Sequence, residues 1–373
     1  MTDMSIETTR VSRLSVINFR TYESLAFDVP EGTTVVVGPN GAGKTNLLEA
    51  VAFACSGSSP RTASELDCIK ENSDACSLTI EANRGDQTLR KHRVILAMGQ
   101  GKRLTLDDKG TTSVEFATDI PVVTFLPERL LVVRGAPARR RQLLDAYVSR
   151  IHPPFTSASK AYTSALSQRN TLLRRARSRG HIDRAEVAPW TEALVEHGTM
   201  MRDLRRSAVE GLRPHFARRI AALTGFGNAD IAVDLRGGDL SEALASAWDA
   251  DVRRGSTTVG AHLDDVSLVA DGRDMRRRGS TGEQRAALLA WSLATYDAIV
   301  EATGVTPVVI LDEPWSELDR SRREQLTRTI EGLPQVIAST TEPPSSLSAS
   351  AHVISVSYGQ ITPWIPTPPS PQP

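Results

Sequence analysis

Two segments that read as halves of one site stand near opposite ends of this 373-residue chain. The first, Gly38-Pro39-Asn40-Gly41-Ala42-Gly43-Lys44-Thr45, follows the β-branched run Thr33 to Val37 and opens the helical spacing Leu47, Leu48, Val51, Ala52, Cys55. Strand, glycine-rich loop and helix in that order suit a polyphosphate. Backbone N–H groups approach it without side-chain clash, and the helix N-terminus adds a favourable dipole. Lys44 is placed to reach the β- and γ-phosphates of ATP, and the Thr45 hydroxyl to ligate Mg²⁺. The second segment, Val308-Val309-Ile310-Leu311-Asp312-Glu313-Pro314, lies more than two hundred residues later and reads as a buried strand ending in two acids. Asp312 is the expected holder of a magnesium-bound water, and Glu313 the expected general base. A fold that closes both segments on one nucleotide must accommodate everything between them, so the intervening chain is expected to form an arm on a nucleotide-binding head.

Hydrophobic residues make up 40% of the chain, an ordinary value for a soluble globular protein of two or three domains. Met1 to Arg10 is polar and no run approaches the roughly 18 apolar residues of a membrane span, so a soluble, unexported, cytoplasmic protein is expected. Cys55, Cys68 and Cys76 contain no C-x-x-C pair, which argues against a disulfide framework and a zinc site. Basic and acidic residues balance at 44 each. Their placement is uneven: Arg134 to Arg219 holds 18 Arg plus Lys against 7 Asp plus Glu. Solvated helix faces and phosphate contact explain that excess about equally well.

Arg13 to Phe19 reads as a strand, and Ser77 to Asn83, Arg93 to Met98 and Arg103 to Leu106 as a small antiparallel meander. Val122 to Leu126 is a further apolar strand ending at Pro127. From Ala136 to about Ala222 the pattern is helical, with interruptions near Pro153-Pro154 and around Ser178 to Pro189. Leu240 to Arg254 makes another helix. Strands and helices then alternate: Val266 to Ala270, Thr281 to Thr303, Val308 to Leu311, Arg320 to Glu331, Val336 to Ser339. The expected divisions are a first head segment at 1–135, a helical arm at 136–255, a second head segment at 256–360 and a disordered proline-rich tail at 361–373.

Gly279-Ser280-Thr281-Gly282-Glu283 opens a helix that is apolar almost all round, through Leu288, Leu289, Trp291, Leu293 and Ile299. Ser280 Oγ and the free N–H groups there suit a γ-phosphate. An ordinary Ser/Thr cap explains the residues but not their position shortly before the Asp-Glu strand. The order phosphate loop, Ser280-Thr281-Gly282-Glu283, Asp312-Glu313, Ser316-Glu317-Leu318-Asp319 resembles the ATP-binding-cassette heads. That resemblance implies an α/β ABC-type ATPase head, a mixed sheet with an antiparallel β subdomain and a P-loop core, carrying an inserted α-helical arm. It also implies that Ser280 and Gly282 complete the ATP site of a second protomer, with catalytic roles beside Lys44 and Glu313.

Within those heads the chain is similar to the RecF family, bacterial recombination mediators related to SMC and Rad50. The matching runs include Asn18-Phe19-Arg20-Thr21-Tyr22, Asn46-Leu47-Leu48-Glu49-Ala50, Pro60-Arg61-Thr62, Phe125-Leu126-Pro127-Glu128, Arg140-Arg141-Gln142-Leu143-Leu144-Asp145, Gln168-Arg169-Asn170, Trp190 and Gly260 to Asp265. The arm has no sustained heptads and no C-x-x-C hook, unlike the long coiled coils of SMC and Rad50. The resemblance implies that Arg20 and Asn46 join Gly38 to Thr45 in holding ATP. It implies an ATP-dependent homodimer on junctions of double- and single-stranded DNA, partners RecO and RecR, RecA loading, and slow hydrolysis that releases the clamp.

Several positions depart from the family pattern. Gly260-Ala261-His262-Leu263 lacks the family's arginine, Asp312-Glu313 stands where two aspartates are common, Glu283 replaces a glutamine, and Trp315 replaces a smaller side chain or phenylalanine. No glutamine stands near Val122 to Phe125 to sense magnesium, and Thr340-Thr341 occupies the place of a transporter's switch histidine. His262 fits either a phosphate sensor or a structural role. Three rival readings are a transporter cassette, a nucleotide-gated scaffold with negligible hydrolysis, and a divergent relative from a defence or plasmid system.

Overall fold

The computed structural model describes residues 6–62, 64–85, 88–126, 130–179, 183–357 and 359–363. The chain divides into two compact units, Met1–Arg129 with Ile299–Pro373, and Leu130–Ala298. The second unit thus carries the helical stretch together with residues 256–298, which the sequence assigned to the second head segment.

In the first unit, a six-stranded sheet runs in the order Gln360–Pro363, His352–Ser357, Gly32–Val37, Gln335–Thr340, Val308–Asp312, Val122–Phe125. All neighbours are parallel except the hairpin of the first two. Strands buried on both faces read as unbroken apolar runs, as Val308 to Leu311 does, and every residue of Val308–Asp312 is buried. A second six-stranded sheet is antiparallel, in the order Tyr22–Asp28, Arg10–Phe19, Ala75–Asn83, Leu89–Ala97, Gly101–Leu106, Lys109–Gly110. Ala75–Asn83 alternates buried and part-exposed residues along almost its whole length, the signature of a sheet with one face on a core. The helix Lys44–Ser56 supplies that core, with Leu47 through Cys55 all buried.

The meander starts and ends close to where the sequence put it. Tyr22–Asp28 and His352–Ser357 are strands that the sequence reading did not single out. Ile361–Pro363 lies in the edge strand rather than in a loose tail, and residues 364–373 lie outside the described residues, as do Pro127 and Glu128.

In the second unit the helices Pro137–Ile151 and Arg184–Thr224 pack beside a three-stranded sheet of Ala229–Asp234, Asp265–Ala270 and Arg273–Asp274, and the helix Pro154–Arg179 packs against Arg184–Thr224. The break expected to extend to Pro189 ends at Asp183, whose side chain caps the third helix through Ala185 N. Pro189 and Pro214 both lie inside this 41-residue helix. Proline in a helix interior removes a hydrogen bond, but the buried row Val187, Leu194, Met201, Val209, Leu212, Phe216 outweighs that local cost. The single helix expected over Leu240 to Arg254 is two, Leu240–Ser246 and Trp248–Arg254, meeting at Ala247.

Much of the arginine excess is internal. Arg140, Arg169, Arg202 and Arg205 are at most 3% exposed. Arg140 pairs with Asp265 at 2.7 Å and Arg169 with Asp251 at 2.8 Å. Arg202 reaches Asp264 at 2.7 Å, and Arg205 grips both oxygens of Asp145 at 2.7 and 2.8 Å. Buried charge is tolerated because each guanidinium is paired and further hydrogen-bonded, as Arg202 is by the Gly238 and Arg236 carbonyls.

Candidate nucleotide site

The phosphate loop leaves Gly32–Val37 and enters the helix at Gly43. Gly41 and Gly43 have φ of +81° and +103°, which a side chain would strain. Gly38 has a different reason: a Cβ there would stand 2.4 Å from the Val356 carbonyl oxygen of the neighbouring strand. No side chain caps the helix and its first turn holds no acid, so the N–H groups of that turn remain available to an anion.

The sheet order explains how distant segments meet. Val308–Asp312 is separated from the strand that feeds the loop only by Gln335–Thr340, and the three are parallel and end together. Asp312 therefore arrives at the loop, where its Oδ2 accepts a 2.7 Å hydrogen bond from Thr45 Oγ1. Lys44 Nζ donates to the carbonyls of Gly38 (2.7 Å) and Pro39 (3.2 Å) and lies 3.3 Å from Glu313 Oε1. Glu313 has φ +51°, a region costly for a side chain. Its N–H is held by Ser339 O and Ser339 Oγ, both at 3.1 Å. Pro39 through Asn46, Asp312 and Glu313 line a recess of about 200 Å³. A hydroxyl and a carboxylate oxygen are hard donors of the kind magnesium takes beside substrate phosphates, so Thr45 and Asp312 fit that ion.

Ser339 was not singled out in the sequence. Its hydroxyl donates to Asp312 Oδ1 and its strand register places it opposite Asp312. The hydroxyl of Tyr22, likewise missed, donates to the Gly43 carbonyl at 3.0 Å and so pins the loop, while burial pushes its phenol pKa up.

Arg20 and Asn46 are engaged beside the loop. Arg20 sends Nε and Nη2 to the two oxygens of Glu49 at 3.0 and 2.8 Å, and Nη1 to the Asp67 carbonyl at 2.8 Å. Asn46 donates to Thr21 Oγ1 at 3.1 Å and accepts from Arg61 at 3.2 Å. Arg61 and Ser59 also bond Glu49, at 2.9 and 2.7 Å, closing a network around a carboxylate with no exposed surface.

In the second unit, Ser280, Thr281 and Gly282 open the helix Thr281–Thr303. Ser280 N donates to Glu283 Oε2 at 2.7 Å, and Glu283 N donates to Ser280 Oγ at 3.3 Å, a reciprocal capping box. Glu283 therefore does the work a glutamine would do there. Arg134 steadies the turn, donating to Thr281 Oγ1 at 2.6 Å and to Gln284 Oε1. His262 is structural within this unit: its Nδ1 is 2.8 Å from Tyr162 Oη, and burial lowers its pKa toward the neutral form. Gly260, at φ +137°, packs so closely that a Cβ would meet Tyr162 Oη at 2.4 Å. In the first unit, Trp315 is buried and donates from Nε1 to Thr327 Oγ1 at 3.1 Å.

A family model described as the RecF/RecN/SMC N-terminal domain matches residues 10–360. The DNA replication and repair protein RecF of Acidothermus cellulolyticus is 33% identical over 344 residues, 88% of this chain and 92% of that protein. The protein so named in Pelotomaculum thermopropionicum is 31% identical over 365 residues, covering 94% and 99%. Among solved structures, the recombination mediator protein RecF with ATP superposes with a TM-score of 0.87 at 24% identity, covering 96% of this chain and 98% of that one. An Smc head domain from Pyrococcus furiosus, bound to the C-terminal domain of ScpA, follows at a TM-score of 0.55 and 16% identity, over 95% of each chain.

Proposed function

The chain belongs to the RecF family, within the wider RecF/RecN/SMC N-terminal domain family, and from that premise we propose that it is an ATP-hydrolysing, DNA-binding recombination mediator. The observation that carries this reading is the convergence of Lys44, Thr45, Asp312 and Glu313 on one recess. The N–H groups of the loop and the Lys44 ammonium bind the phosphates, exchanging the carbonyls of Gly38 and Pro39 for phosphate oxygens. Thr45 and Asp312 hold magnesium, which when bound neutralises charge on the β- and γ-phosphates. Glu313 accepts a proton from the attacking water, with its backbone fixed by Ser339. Ser280 and Gly282 of a second copy complete the site, so ATP closes two heads into a dimer. The dimer grips junctions of double- and single-stranded DNA and, with RecO and RecR, supports RecA loading. Hydrolysis reopens it.

The test pairs turnover with sedimentation. Wild type should hydrolyse ATP slowly, while Glu313→Gln should bind ATP, fail to turn it over and accumulate as a dimer. Equal turnover by the two proteins would remove Glu313 as the base.

A further inference from the structure

We propose that the groove between the helices Pro137–Ile151 and Pro154–Arg179 is a track for the phosphodiester backbone of duplex DNA. The assignment rests on the DNA-binding reading above and gives it a location. The groove has a volume of about 890 Å³. One wall is a helical stripe of Ser159, Lys160, Thr163, Ser164 and Ser167. That helix runs 26 residues without a single Asp or Glu. Solvated helix faces are ordinarily stabilised by opposite charges three or four residues apart. Here serine and threonine, poorer helix formers than alanine by about 0.5 kcal/mol each, take those places. The hydroxyls of exposed Ser164 and Ser167 bond nothing among the described residues. The Thr163 hydroxyl is spent on the Ser159 carbonyl at 2.8 Å, but the free serine hydroxyls of the stripe, with a Lys160 ammonium that has no partner among the described residues, suit phosphate oxygens.

The facing wall agrees. Arg141 spends one N–H on the Asp264 carbonyl at 2.6 Å and keeps the rest of its guanidinium for the groove it lines. Asp145, the one carboxylate lining the groove among the described residues, has both oxygens bound by Arg205, so its charge is offset. The stripe continues at helical spacing from Ser167 into exposed Arg174 and Arg175. Single-strand sites rely on exposed aromatic rings for stacking. Among the described residues, the one aromatic side chain lining this groove, Phe155, is 1% exposed. A backbone track without a stacking platform fits a duplex.

All three cysteines are buried, so an introduced surface thiol reacts selectively. Ser164→Cys, with ATP and a duplex whose tether on one phosphate ends in an activated mixed disulfide, should form a disulfide cross-link by exchange, releasing the small thiol of the tether. Cysteine at exposed Glu210 in the same unit should not. The pair Ser164→Asp and Ser167→Asp should weaken duplex binding at least tenfold at low salt and flatten the salt slope by about one to two. Its ATP turnover without DNA should be unchanged. Wild-type affinity in the double variant without a cross-link at 164 would overturn the groove and leave DNA binding intact. Failure of the wild type to bind duplex with ATP would overturn both. A greater loss for single strands than for duplex would overturn the choice of duplex.

Discussion

Glu49 lies five residues beyond Lys44 on the phosphate-loop helix and has no exposed surface. Burial pushes its carboxyl pKa up, but the hydrogen bonds from Arg20 and Ser59 and the charges of Arg20 and Arg61 outweigh burial and hold it below the ordinary value. A carboxylate depressed in the folded state contributes stability that is present above the ordinary glutamate value of about 4.3, and that is lost as pH falls through the folded value. Glu49→Gln leaves two guanidinium groups without their counter-charge and should cost about 3–5 kcal/mol at neutral pH. Urea unfolding of wild type and variant should show a gap that narrows on acidification from pH 6 to pH 3. A gap independent of pH would mean that the carboxylate's charge is not what the arginines need. Since the network also holds Asn46 through Arg61, the variant should raise KM for ATP more than it lowers kcat.

At the scale of elements, Ser280 at the head of the helix Thr281–Thr303 has one observed role and one proposed role, and a variant separates them. Ser280 caps its own helix through Glu283, and in the proposed dimer it faces a neighbour's γ-phosphate. Ser280→Ala should lose the cap, about 1 kcal/mol, together with ATP-induced association. Ser280→Asp keeps a good cap but sets a negative charge against phosphate. It should melt like wild type in thermal unfolding and yet remain monomeric with ATP by sedimentation; dimer formation would exclude Ser280 from the shared site. The capping box is readable directly from Ser280-Thr281-Gly282-Glu283, because it depends on neighbours three residues apart. The phosphate loop is legible for the same reason, with strand, loop and helix contiguous. Ser339 is not legible, because its contact with Asp312 arises from parallel register between strands 23 residues apart in the chain, counted from Asp312 to Gln335. Pro189 misleads because local propensity marks a helix end, whereas burial along Arg184–Thr224 carries the helix through.

At the scale of the whole molecule, a net charge of zero sets the expectations for DNA binding. Long-range attraction to a polyanion is weak for such a chain, and several arginines of the basic stretch are consumed by internal pairs with Asp145, Asp251, Asp264 and Asp265. In the proposed complex, the exposed cations that remain would contact few phosphates per protomer. If each copy neutralises about four, the slope of log Kobs against log salt is roughly −3.6, and a dimer neutralising about eight gives roughly −7. Affinity at physiological salt then depends on joining two copies, which is what ATP is proposed to do. Anisotropy titrations of a gapped duplex across salt concentrations, using Glu313→Gln to hold the nucleotide, should give the steeper slope with ATP and the shallower one without. Ser280→Asp should give the shallow slope under both conditions, because it keeps its own cations but loses those of its partner. The same shallow slope for Glu313→Gln with and without ATP would mean that nucleotide does not double the number of phosphate contacts, and would remove the clamp from the mechanism.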